Sequence, residues 1–79
     1  MHKKYEITNQ IRTLRFFSNE MSQLTLAELT GVSRQTINAI ELGKYTPSLD
    51  LAYKIAHVFQ VPIDEVFQYK EVNDENTRK

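Results

Sequence analysis

Apolar residues in this chain recur mostly every three or four positions, the spacing of helices that bury one face. Ile11 and Leu14 open the first such run, with Phe17 or Ser18 next along the face and Thr8 or Asn9 placed to cap it. Ser18-Asn19-Glu20 breaks that run, and Ser22 caps a second helix over 23–30. Leu26 and Leu29 are expected inward there, with Ala27 where two helices approach closely, and Phe16, Phe17 and Met21 read as core. A third helix is bracketed by Gly31, which takes a left-handed conformation at little steric cost, by Ser33 as cap and by Gly43 as stop. Pro47 imposes an extended approach to a fourth helix capped by Ser48, whose inward stripe is Leu49, Leu51, Ala52, Ile55, Ala56 and Phe59. Pro62 suits the first position of a fifth helix running to about Phe67, with Asp64 and Glu65 favourable to its dipole. Tyr5 and Ile7, and again Phe67 and Tyr69, alternate with polar residues as strands do. The expected class is all-α: a compact five-helix bundle with, at most, short strands at its two ends.

The third helix, over 33–42, is the informative one. It is too short to be stable alone and must be held by neighbours, which leaves one face to be presented. At about 100° per residue from Ile37, Ile40 falls near 300° and Glu41 near 40°, the inner side. Gln35, Asn38, Ala39 and Leu42 fall between about 100° and 200°, outward, and Arg34 sits near 60° on the flank. An ordinary exposed helix face is filled with Glu and Lys. This one carries an arginine, two amides and a small apolar residue, the side chains that read guanine, adenine and the thymine methyl in a major groove. Ala27 and Gly31 are small where a second helix must cross the third at a steep angle, and Val32, Ile37 and Ile40 form the plug between them. That is the spacing of a helix-turn-helix unit.

Composition tests this reading without deciding it. Seventy-nine residues allow one domain. The absence of cysteine excludes disulfides and thiolate metal sites. The net charge is zero, but residues 1–45 hold six Lys or Arg against four acids and residues 46–79 hold four against six, so the basic half surrounds the reading helix. Such a chain binds nucleic acid through a few placed contacts rather than by bulk attraction. No apolar run approaches a membrane span or a leader core, so a soluble, cytoplasmic protein is expected. His2 and His57 have no carboxylate at ligand spacing and no Gly-rich phosphate loop exists, so neither an enzyme nor a cofactor is expected.

The stretches IRTLR, MSQLTLAELTGVSRQTINAIELGKYTPSL, LAYKIAHVFQV and PIDEVF, in this order and spacing, resemble the Cro/cI-like (XRE-type) family of helix-turn-helix transcriptional regulators, with its lambda-repressor-like fold. They run from Ile11 to Phe67. The resemblance implies a five-helix domain that binds double-stranded operator DNA as a dimer, usually to repress transcription. It assigns base contact to Arg34, Gln35, Asn38 and Ala39, and sugar-phosphate contact to Gln23, Ser33, Thr36, Lys44 and Tyr45. It also pairs Arg15 with Glu41 structurally, in agreement with the inward angle of Glu41. Three departures stand out. The connection from Arg15 to Gln23 is one residue longer than usual, which implies a wider turn. Leu24 and Thr25 replace the acidic residues common there. Gln60 stands where Gly commonly ends the fourth helix, and a left-handed Gln there costs of the order of 1 kcal/mol.

The expected organisation is a DNA-binding domain over residues 1–70, with its core at 9–67, followed by a polar tail over 71–79. One short reading helix contacts too few bases for affinities near about 10⁻⁸ M, so a homodimer on a palindromic operator is expected. Its contact surface is placed on the fifth helix with Phe67, Tyr69 and Val72, and residues 3–7 are available to pair with that segment. The alternative is an antitoxin or protein-interaction adaptor with the same fold, for which Leu24, Leu42, Tyr69 and Val72 are the apolar residues on offer.

Overall fold

The computed structural model describes residues 3–72; His2 and residues 73–79 of the expected tail lie outside them. The order is β1 (Lys4–Asn9), α1 (Ile11–Phe17), α2 (Gln23–Thr30), α3 (Arg34–Glu41), α4 (Leu49–Phe59), α5 (Ile63–Val66) and β2 (Phe67–Val72). Three of the five helices, α2, α3 and α4, begin at a capping serine. The hydroxyls of Ser22, Ser33 and Ser48 accept from the backbone N–H groups of Thr25, Thr36 and Leu51, each satisfying one donor a helix start leaves unpaired. Gly31 ends α2 at φ 78° and Gly43 follows α3 at φ 76°, the left-handed geometry that ends helices.

The core is a single cluster of Ile11, Leu26, Ala27, Ile37, Ile40, Leu51, Ile55, Ala56 and Val66. Ile11, Leu26, Ile37, Ile55 and Val66 have no exposed surface, and each such side chain contributes about 1.5–3 kcal/mol relative to exposure. α3 packs mainly on α2, and Arg15 of α1 bonds Glu41 at its end.

The all-α expectation is overturned. β1 and β2, six residues each, pair antiparallel from Lys4 opposite Val72 to Asn9 opposite Phe67. The strands are far apart in sequence, so each short alternation looked weak alone; paired, they satisfy each other's backbone groups and form cross-strand side-chain contacts. The ladder continues through Glu71 and Val72, inside the stretch assigned to the tail, and α5 stops at Val66 because Phe67 is already extended.

Four expected core positions face solvent: Phe16 (61% exposed), Phe17 (76%), Leu29 (59%) and Leu49 (70%). Helix geometry explains the first pair. Arg15 turns inward beside Ile11 and Leu14, and residues one and two further on are rotated about 100° and 200° away from it. In α2 the third inward place belongs to Thr30, buried with its hydroxyl donating to the Leu26 and Ala27 carbonyls. Leu49 begins α4 and lines a shallow apolar groove of about 310 Å³ with Ile7, Pro47, Ala52, Ile63 and Phe67.

The wider turn after α1 places Asn19 and Glu20 at positive φ, 62° and 55°. It is held by the Met21 N–H donating to the Arg15 carbonyl at 2.9 Å, while Arg15 Nη1 donates back to the Met21 carbonyl at 2.8 Å. Gln60 ends α4 at φ 58°, a geometry that costs about 1–2 kcal/mol without glycine. Its side chain donates to the His57 carbonyl at 2.9 Å.

Candidate nucleic-acid interface

α3 presents its two sides as the angles predict. Ile37 and Ile40 are buried; Arg34 and Gln35 are exposed; Asn38 and Ala39 are half-buried on the outer side, and Thr36 is half-buried on the flank next to Ile40. The difference between the sides is what a short helix needs, one face anchoring it and the other offered. Ser33 and Thr36 lie together at the start of the helix, their hydroxyls 3.0 Å apart. Lys44 and Tyr45 are exposed immediately after Gly43.

Behind the offered face runs a connected polar array. Arg15 Nε donates to Glu41 Oε2 at 2.7 Å and Arg15 Nη2 to Glu41 Oε1 at 3.1 Å, a two-pronged contact with side-chain exposures of 16% and 9%. Gln23 Nε2 donates to the same Glu41 Oε1 and to Asn38 Oδ1, both at 3.0 Å. Gln23 Oε1 accepts from Arg34 Nη1 at 3.0 Å. The array therefore runs from α1 through the end of α3 and the start of α2 to two of the outward residues. Arg34 leaves the flank of its own helix and leans across to α2. Both N–H bonds of the Gln23 amide are engaged within the protein. No buried side-chain nitrogen or oxygen among the described residues lacks a partner.

Sequence reasoning missed the tie of Gln23 to Arg34 and Asn38. The signal was present as an amide at the start of α2 facing an amide one turn into α3, but only the crossing angle brings them together. Thr8 or Asn9 was expected to cap α1, but both belong to β1 and the cap position falls on Gln10, which makes no side-chain cap bond. Asn9 Oδ1 still accepts from the Ile11 N–H at 3.1 Å, and its Nδ2 donates to the Ile40 carbonyl at 3.0 Å, a tie to the end of α3 that the sequence did not reveal. The expected contact set of Phe67, Tyr69 and Val72 is divided by the strand register. Phe67 and Tyr69 share a face with Asn9, Ile7 and Tyr5, whereas Val72 lies opposite Lys4 on the other face. Among the described residues no group of His, Cys, Asp or Glu could hold a metal ion, and no helix is long and apolar enough to cross a membrane.

The family model described as helix-turn-helix matches residues 11–66, from the first residue of α1 to the last of α5. The chain belongs to the helix-turn-helix family. An uncharacterised HTH-type transcriptional regulator of Methanocaldococcus jannaschii is 51% identical over 63 residues, covering 80% of this chain and 94% of that protein. The HTH-type regulator YgzD of Bacillus subtilis, also uncharacterised, is 50% identical over 52 residues, covering 66% and 79% of the two chains. The crystal structure of a candidate DNA-binding protein from Bacteroides fragilis superposes with a TM-score of 0.68 at 27% identity, covering 78% of this chain and 98% of that one. The XRE-type resemblance drawn from the residues thus stands, and the chain is similar to archaeal and bacterial regulators alike. The matched region contains α2, α3 and the whole polar array.

Proposed function

We propose that this helix-turn-helix protein is a sequence-specific DNA-binding transcriptional regulator that lays α3 in the major groove of its operator. The observation that carries the reading is the division of α3, with Ile37 and Ile40 buried behind and Arg34, Gln35, Asn38 and Ala39 on the side away from the core. Those four are the base-contacting residues of the proposal. Ser33, Thr36, Lys44 and Tyr45 contact the sugar-phosphate on either side. Gln23 joins them through its backbone N–H at the start of α2, because its side chain is already bonded within the protein. With a formal charge of zero, affinity comes from placed contacts, and two half-sites about one helical turn apart are needed for tight binding.

The partner that supplies the second half-site is another copy, docked on the ribbon of β1 and β2. Tyr5 and Tyr69 stack with ring centroids 4.9 Å apart, and with Ile7 they form an apolar face 45–71% exposed. A two-stranded ribbon is marginal in water unless something covers it. A symmetric pairing of two such faces, Phe67 at their base, also gives the palindromic operator its two-fold axis. Bound across a promoter, such a dimer acts as a repressor.

Arg34→Ala and Gln35→Ala test the reading. Each should cost about 1–3 kcal/mol on the cognate operator and relax base preference at one position, with little change on unrelated DNA. Equal losses on all sequences, followed by fluorescence anisotropy, would contradict base readout.

A further inference from the structure

Asn38 can orient its amide in two ways, and the array behind it allows only one. Arg15 can only donate, so the Glu41 carboxylate it holds is an acceptor. Gln23 must then turn Nε2 toward Glu41, which turns Oε1 toward Arg34, itself a donor-only group. Reversing that amide would set oxygen against carboxylate and nitrogen against guanidinium. The second Nε2 hydrogen of Gln23 points at Asn38, so Asn38 must offer its oxygen there, at 3.0 Å. Its Nδ2 faces out.

We infer that Gln23 is a specificity-positioning residue, locking Asn38 so that it and Arg34 present only hydrogen-bond donors to the base edges. The inference rests on α3 reading DNA, as proposed above. An unconstrained Asn selects adenine by using both amide ends, accepting from N6 and donating to N7. A locked Asn38 donates alone. Adenine and guanine both offer N7, so it accepts either, whereas cytosine presents only its N4 donor and is refused. Arg34, with one N–H held by Gln23, keeps its remaining donors for guanine.

Binding-site selection from random duplex DNA tests this with the wild type, Asn38→Ala, Gln23→Ala and Gln23→Glu, each first checked for folding by circular dichroism. Asn38→Ala identifies the base it reads, as the position whose preference collapses. At that position the wild type should bind adenine and guanine within about threefold of each other and cytosine roughly tenfold more weakly. Gln23→Ala frees the amide, and adenine should then gain over guanine. In Gln23→Glu the introduced carboxylate can only accept, so Asn38 must turn Nδ2 inward and Oδ1 outward, and the penalty against cytosine should vanish. If Gln23→Glu does not fold, the gain of adenine in Gln23→Ala decides. A wild type that prefers adenine over guanine by more than about tenfold, or a Gln23→Ala protein weakened equally on every sequence, overturns the lock while leaving readout intact. An Asn38→Ala protein whose base preferences are unchanged at every position overturns readout by Asn38, and the lock with it.

Discussion

In the unit formed by α2 and α3, Gln23 bonds both Asn38 and Glu41, and Ile37 and Ile40 are buried; in the ribbon of β1 and β2, Tyr5, Ile7 and Tyr69 face solvent. The first region is complete in one chain. Two of its outward side chains, Arg34 and Asn38, are held before any ligand arrives, so less ordering remains to oppose binding. The second pairs one edge of each strand through the ladder and leaves its apolar face uncovered beyond Phe67. One region is built to be presented rigidly, the other to be covered by something. A regulator that reads DNA through one region and assembles through the other would divide in this way.

The comparison can be broken most sharply at Glu41, whose carboxylate joins α1, α2 and α3. Glu41→Ala leaves the Arg15 guanidinium and the Gln23 amide without their shared acceptor in a largely buried place. It should lower stability by about 3–5 kcal/mol, measured by urea denaturation. A loss below about 1 kcal/mol, the value of an exposed pair, would mean that the reading unit does not depend on its array.

The ribbon is tested by Tyr69→Asp, which places a charge in the middle of the exposed apolar face. Sedimentation should then give a monomer whose stability, once dissociated, is little altered. A variant that stays dimeric moves the interface elsewhere. The smallest effect is expected at Lys44, outside both regions. Lys44→Ala should weaken binding to all DNA alike and reduce the salt slope of log K by about one. An unchanged slope removes Lys44 from the phosphate set.

Legibility in the sequence followed the same division. Capping serines, terminating glycines and the rotation of α3 are local signals, and Ser22, Ser33, Ser48 and Gly31 act where their chemistry says they should. The ribbon is not local: Tyr5 and Ile7 find Phe67 and Tyr69 only after the helices have folded between them, so its extent was understated and its faces were confused at Val72. Phe16 and Phe17 misled for another reason. Their hydrophobicity argues for burial, but an inward Arg15 rotates both of them outward. Within the site, the outward residues were readable from angles alone, but the bonds among Gln23, Arg34 and Asn38 depend on how two helices cross.

Base reading by α3 and the joining of two copies through the ribbon meet in one measurement. Selection of binding sites from random duplex DNA by the wild-type protein, repeated at several salt concentrations, tests both halves together. The expected result is enrichment of two inverted half-sites with centres about one helical turn, 10–10.5 base pairs, apart. Recovery of unenriched DNA, or of a single site with no inverted repeat, would contradict it.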